Sequence, residues 1–354
     1  MPRKRTTTTQ AADANGARAK SPLPKGLKNA DLVDYYTRLV QVRSIDERIW
    51  ALNRQGKVPI AASAQGHEAA QLGSLLAAEK DGDCFLFPYY RDLALKVAAG
   101  LTPVQTMMSF MGKEGEPYSN GRQFPLQGAD LAHNVIQISN VVAAGLTQAV
   151  GYALACRMLG DDTVVLTYFG DGASSQGETH EAMNFAAVHQ LPVLFICENN
   201  RYAISVPLSK QMAIENIADR AESYGMSGIM VDGMDPVAVY EAMYLAIENA
   251  RNGGGPTLVE AKVERFYPHT SDDDHTRYRS AEDIEAMTSR DPIEIMDQML
   301  SSRDVLGTAR REQIWESAQR IVDEATETAE NAPLPQPTGD DDIYKHLYAD
   351  SDGN

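Results

Sequence analysis

The 354-residue chain is short of what several large protein classes need. It has three cysteines, Cys84, Cys156 and Cys197, far apart, odd in number and without C-x-x-C spacing. Neither a disulfide framework nor a zinc site is suggested. Cys156 and Cys197 lie in apolar runs and read as buried thiols in a reducing, cytoplasmic compartment. No apolar run approaches the roughly 18 residues of a membrane span. The opening MPRKRTTTTQ is basic but has no apolar h-region, so it is not read as a secretory signal, and Asp13 is unusual for a transit peptide. Positive charge is also scarce: Lys and Arg number 32 against 49 Asp and Glu, a net charge of -17. Such a surface repels nucleic acid and anionic membranes.

What is present is a hydrophobic fraction of 43%, enough for a sizeable core. Residues 1–26, rich in Thr, Ala, Lys and Arg, read as a flexible tail, and the Pro- and Asp-rich 332–354 as another, leaving one domain over 27–331. Apolar residues at helical spacing predict helices over 31–54, 68–80, 103–112 and 138–159. Residues 115–134 have no period and form a long loop. Strands are predicted at 164–169, 193–197, 229–231 and 257–263, alternating with helices at 178–189, 211–223 and 236–251. Helices at about 281–288, 292–303 and 310–330 close the domain. Alternating strands and helices imply an α/β fold, a parallel sheet flanked by helices on both faces.

The stretch GDGASSQG, Gly170 to Gly177, follows the first of these central strands, where open α/β sheets bind ligands. Its third glycine is two residues too late for a dinucleotide fingerprint, and Leu191-Pro192 stands where a ribose-binding acid belongs. The carboxylate of Asp171 would repel a diphosphate unless a divalent cation lay between them, and magnesium is the usual bridge. The next strand ends in ENNRYAIS, which offers the Asn200 amide oxygen and the Tyr202 carbonyl as further ligands. Two simpler readings compete: Asp171 as a helix cap, and Asn199-Asn200 as a plain turn. Gly177 is expected to serve helix packing. In FPYYRD, Arg91 is a natural bidentate partner for phosphate. His269 follows a proline in a polar loop and suits proton handling near neutral pH. Asp272, Asp273 and Asp274 read mainly as solvated loop charge. His67-Glu68 and His180-Glu181 do not complete H-E-x-x-H and read as helix residues, although His67 could face the substrate side.

The GDG…NN pair after successive strands resembles the thiamin diphosphate motif. YFGDGASSQGETHEAMNFAAVHQLPVLFICENNRYAIS, with DERIWALNRQGK, FPYYRD, GRQFP, VDGMDPVAVY and PHTSDDDHTRYRS, resembles the α subunit of the E1 component of 2-oxo acid dehydrogenase complexes over roughly residues 30–330. The resemblance implies the diphosphate-binding half of a thiamin diphosphate-binding fold, with Mg2+ held by Asp171, Asn200 and Tyr202. It places Tyr90, Arg91, Asn140, Val142, Gly170, Asp171, Gly172, Ala173, Asn200 and His269 around the cofactor, His269 beside the thiazolium as the catalytic residue. It further implies oxidative decarboxylation of a 2-oxo acid and transfer of the acyl group to a lipoylated E2 protein. At this length the glutamate that serves the aminopyrimidine has to come from a β subunit in an α2β2 heterotetramer. PHTSDDDHTRYRS looks more like branched-chain, 2-oxoisovalerate-type members than pyruvate members. Two departures stand out. Ala144 and Gly145 replace side chains with which some members hold potassium, and Gln127 replaces a histidine frequent after GRQ(M/F)P. The rival readings are a nucleotide-binding protein and a catalytically inactive subunit that keeps the fold.

Overall fold

A computed structural model describes residues 21–82, 84–136, 140–337 and 339. In chain order the elements are α1 (Asn29–Arg54), α2 (Glu68–Asp81), β1 (Cys84–Phe87), α3 (Leu93–Ala99) and α4 (Pro103–Met111). Then come α5 (Ala144–Leu159), β2 (Val164–Gly170), α6 (Gly177–Val188) and β3 (Val193–Asn199), followed by a small hairpin of β4 (Tyr202–Ala203) and β5 (Val206–Pro207). The chain continues through α7 (Ala221–Tyr224), β6 (Ser227–Asp232), α8 (Pro236–Arg251) and β7 (Thr257–Lys262). It closes with α9 (Ala281–Thr288), α10 (Pro292–Ser302) and α11 (Thr308–Asn331).

Five strands form one parallel sheet in the order β1-β2-β3-β7-β6. The strand period of two sorts its side chains. Val164, Leu166, Tyr168, Leu194 and Ile196 face a large cluster under α1, α2 and α8. Val165, Phe169, Val193, Phe195 and Cys197 face a smaller one under α5 and α6. Both faces are covered, which explains why these strands read as unbroken apolar runs. Gly73 lets α2 cross α8 closely: a Cβ there would stand 2.8 Å from Tyr35 Oη and from Val239 Cγ1. Helix starts carry their own signals. Thr102, Asp235 and Asp291 each accept a first-turn N–H just before a proline.

Two expected helices differ. The segment 211–223 forms a 3-10 turn at Ile217–Arg220 and the short α7 instead of one helix. Glu260, fully buried on β7, is the reason. It takes the Ala218 N–H at 2.9 Å and the Asn199 amide at 2.7 Å, so the backbone serves a buried carboxylate instead of a helical ladder. The helix expected from 138 begins at Ala144, preceded by Ala143 in the left-handed region at φ 72°. Residues 137–139, with Ser139, lie outside the described residues, as do 1–20, 338 and 340–354 of the expected tails. The remainder of the first tail lies against α8, where Tyr240 Oη donates to Lys25 O at 3.0 Å.

The sheet brings all five strand ends to one edge: Phe87, Gly170, Asn199, Asp232 and Lys262. The loop after β7 is locked to the start of α2 through Gly66. Its φ is +89°, and a Cβ there would stand 2.2 Å from Glu264 O. Gly66→Ala is therefore expected to destabilise the chain by roughly 2–5 kcal/mol, from left-handed strain plus a clash with backbone. Gly177→Ala should lie within about 0.5 kcal/mol of wild type, since a Cβ there meets nothing within 4 Å. Thermal and urea denaturation of both variants checks the contrast; equal stabilities would contradict it.

Candidate active site

Asp171 leaves β2 directly into the 3-10 turn Asp171–Ser175 and is buried. Its carboxylate does not cap α6, whose N-terminal residue is Gly177. It accepts from Gln211 Nε2 at 2.9 Å. Burial pushes its pKa up, against the pull of the Gln211 hydrogen bond. A carboxylate kept in so dry a place is an uncompensated charge unless a cation joins it. Gly172 beside it lies against the hairpin: a Cβ would stand 2.8 Å from Ala203 Cβ. Gly170 packs near Tyr89, and Ala173 is buried. Gly177 is not the tight packing position expected of it, because the space where a Cβ would stand is open to 4 Å.

Asn200 follows β3 and is buried. Its Oδ1 accepts the Tyr202 N–H at 3.2 Å, and its Nδ2 faces His67 Nε2 at 3.3 Å. The hairpin then sets Tyr202. Leu208 N donates to Arg201 O at 2.8 Å, which makes Arg201–Leu208 the hydrogen-bonded pair. At the next pair, Tyr202–Pro207, the backbone groups point out of the ladder. The Tyr202 carbonyl thus projects to the same side as the N–H that reaches Asn200. Among the described residues no group of three or more His, Cys, Asp or Glu side chains is arranged to hold a metal. One carboxylate with neutral oxygens suits instead an ion that takes its remaining ligands from a bound phosphate.

Arg91 and His269 form the second half of the site. Arg91 is buried; its Nη1 donates to Ser63 O at 2.8 Å, and its Nη2 reaches His269 O at 3.1 Å and Nδ1 at 3.2 Å. Arg265, fully buried after β7, donates to Ile204 O at 3.0 Å and to Tyr278 Oη at 2.8 Å. It stands 3.5 Å from the same imidazole nitrogen. Burial, then Arg91 and Arg265, hold the His269 pKa down to about 3. The ring is therefore neutral, accepts at Nδ1 and carries its proton on Nε2. Burial, then Arg91, lowers Arg265 to about 10. Two buried guanidiniums this close repel each other, and the Nε of each has no partner among the described residues. Both facts call for an anion. The Tyr90 ring sits edge-on to His269 at 5.9 Å and under the Arg91 guanidinium at 5.2 Å.

Asp273 is more than solvated loop charge. Its Oδ2 accepts the His269 N–H at 2.8 Å and the Tyr278 hydroxyl, which fixes the histidine loop. His180 is a helix residue bonded to Tyr224. Asn140 accepts from Gln127 Nε2, and Val142 is half exposed. Sequence reasoning missed Arg265, Gln211 and Glu198. The place of Arg265 directly past a strand end, four residues before His269, was an available signal. Glu198 is fully buried, and its Oε2 accepts from His67 Nδ1 at 2.6 Å, Gln71 Nε2 at 3.0 Å and Tyr89 Oη at 3.1 Å. Asp92 lies against it; burial, then the neighbouring Glu198, push the Asp92 carboxyl well above its usual range.

Known proteins match this chain over nearly its whole length. Residues 36–338 match the family described as "Dehydrogenase E1 component". The 2-oxoisovalerate dehydrogenase subunit alpha of Bacillus subtilis is 45% identical over 324 residues, 92% of this chain and 97% of the relative. The pyruvate dehydrogenase E1 component subunit alpha of Staphylococcus aureus is 36% identical over 346 residues, 98% and 90% of the two chains. That of Bacillus cereus is 36% identical over 342 residues, 96% and 88%. By family match and by identity over this span, the chain belongs to the dehydrogenase E1 component family.

Proposed function

We propose that the chain is the α subunit of a thiamin diphosphate- and Mg2+-dependent 2-oxo acid dehydrogenase, acting on branched-chain acids of the 2-oxoisovalerate type. The observation that carries this reading is the pairing of a buried carboxylate, Asp171, with two buried guanidiniums whose Nε groups lack partners. A diphosphate with its divalent cation satisfies both: the cation takes Asp171, Asn200 and the Tyr202 carbonyl, and the phosphate oxygens take Arg91 and Arg265. The glycines at 170 and 172, with Ala173, allow backbone to approach. The 2-oxoisovalerate preference rests on the name of the 45%-identical relative, and pyruvate is the alternative substrate named among the others.

Thiamin diphosphate, when bound, supplies the nucleophilic carbon and the electron sink for decarboxylation. The chain's own residues do the rest. Tyr90 and Arg91 orient the diphosphate. His269, neutral and held at Nδ1 by Arg91, presents its Nε2–H as a hydrogen-bond donor to developing negative charge on the substrate oxygen. The two arginines draw in a carboxylate substrate. Asn140 and Val142 are assigned to the cofactor's ring side by resemblance alone.

The assembly is read as a heterotetramer with β subunits, serving a lipoylated E2 acyl acceptor in the cytoplasm. No described helix is long and apolar enough to cross a membrane. Support for a partner comes from the outer face of α5 and α6. Gly145 and Gly151 have open space where a Cβ would stand, and Met158, Leu159 and Val188 are exposed by 78%, 85% and 69%. Large apolar side chains left this exposed are what a partner surface would cover.

Three outcomes follow. Asp171→Ala should abolish Mg2+-dependent thiamin diphosphate binding by calorimetry, whereas His269→Ala should keep binding and lower kcat about 10²–10⁴-fold in dye reduction; a variant of either kind that behaves like wild type contradicts its role. Purified alone, the chain should not decarboxylate 2-oxo acids, and adding a β subunit should restore turnover, faster with 2-oxoisovalerate than with pyruvate. Activity of the pure chain that β leaves unchanged would sink the subunit assignment. For pH, the folded His269 pKa of about 3 lies below the unfolded value near 6.5, so its stabilising contribution is complete above about pH 6.5 and lost as pH falls toward 3. His269→Gln should flatten that acid limb in thermal melts between pH 7 and 4, and an unchanged slope would refute the neutral-imidazole assignment.

A further inference from the structure

We infer that His67 is a positioning residue that sets which end of the Asn200 amide faces the cation site, an inference that rests on the metal reading above. An asparagine amide has two ends of nearly equal shape and opposite polarity. Turned one way it offers an oxygen to a cation; turned the other way it offers an NH2 group and repels it. The surrounding groups decide between them, because His67, Glu198 and Asn200 are all buried with at most 4% exposure.

The polarity is dictated from the inside outward. One oxygen of Glu198 takes three donors, His67 Nδ1 at 2.6 Å, Gln71 Nε2 at 3.0 Å and Tyr89 Oη at 3.1 Å. An oxygen so placed is an acceptor, so the His67 proton sits on Nδ1. The lone pair on Nε2 then faces Asn200 at 3.3 Å and accepts only from the NH2 end. At the other end Oδ1 accepts the Tyr202 N–H at 3.2 Å. The amide is held at both ends with its oxygen on the Tyr202 side, where the Tyr202 carbonyl also points. The arrangement Glu198–His67–Asn200 is a carboxylate–histidine pair acting on a metal through an amide, and partners of this kind commonly change metal affinity 10–100-fold.

The test uses the chain assembled with a β subunit and titrates MgCl2 calorimetrically at saturating thiamin diphosphate. His67→Phe keeps a ring but removes the acceptor, and Mg2+ affinity should fall about 10–100-fold. His67→Gln restores both a carbonyl acceptor and an N–H donor and should stay within about twofold of wild type. In an Asn200→Asp background both ligand ends are oxygen, so orientation no longer matters, and adding His67→Phe should cost no more than about twofold. A purely structural role would cost the same in both backgrounds. Wild-type Mg2+ affinity in His67→Phe, an equal loss in the Asn200→Asp background, or a His67→Gln as weak as His67→Phe would each overturn the inference. If His67→Phe does not assemble, His67→Met, similar in volume and without a nitrogen acceptor, takes its place. Wild-type protein that binds thiamin diphosphate equally well without Mg2+ overturns the metal reading itself, which is a separate failure.

Discussion

The structure depends on a carboxyl side chain with no exposed surface. Glu198 is that residue, one before the end of the central strand β3. An isolated carboxylate there would be prohibitively costly, so neighbouring segments must supply donors. Helix α2 supplies His67 and Gln71, and the exit of β1 supplies Tyr89. Burial and the nearby Glu198 raise the pKa of Asp92, on the same exit, well above its usual range. These contacts set the distance from α2 to the strand ends, and with it the places of Arg91 and Asn200. Gln71 Nε2 also donates to Arg91 O at 3.3 Å, which ties that arginine to the same hub. A partly satisfied network of this kind is unstable, and a complete one is rigid.

Charge is distributed unevenly over the molecule. The whole chain carries a net charge of -17, yet the end of the sheet gathers Arg91 and Arg265 around one imidazole. Acidic surface with a buried basic focus favours small anions over polyanions. A nucleic acid meets the repulsive exterior. The cost is borne locally: the His269 pKa is driven down to about 3 and Arg265 to about 10.

Much of the fold was legible because local signals agreed with the global pattern. The runs VVLTYF and VLFIC read as strands and are strands, and Pro236 and Pro292 mark helix starts as capping chemistry requires. What failed to read locally was decided by distant charges. Residues 211–223 have helical spacing, but Glu260, far along the chain, claims the Ala218 N–H. Asp273 looks solvated in sequence and instead holds the backbone of His269. At the site, Asp171, Asn200, Arg91 and His269 were legible because each follows a strand or loop signal and carries the right chemistry. Glu198 was not, and His67 read only as a residue that could face the substrate side, since a buried His–Glu pair made from the start of α2 and from β3 leaves no periodic mark. Arg265 was hidden by its aromatic neighbours Phe266 and Tyr267.

The open face of α5 and α6 bears on how copies of the chain behave before any partner covers it. Met158, Leu159 and Val188 would draw such copies together. The acidity seen first as a bar to nucleic acid then acts as a colloidal brake. Like-charged copies repel over about a Debye length, roughly 8 Å at physiological ionic strength, while the apolar contact acts only at touching distance. Added salt shortens that length and weakens the repulsion between copies.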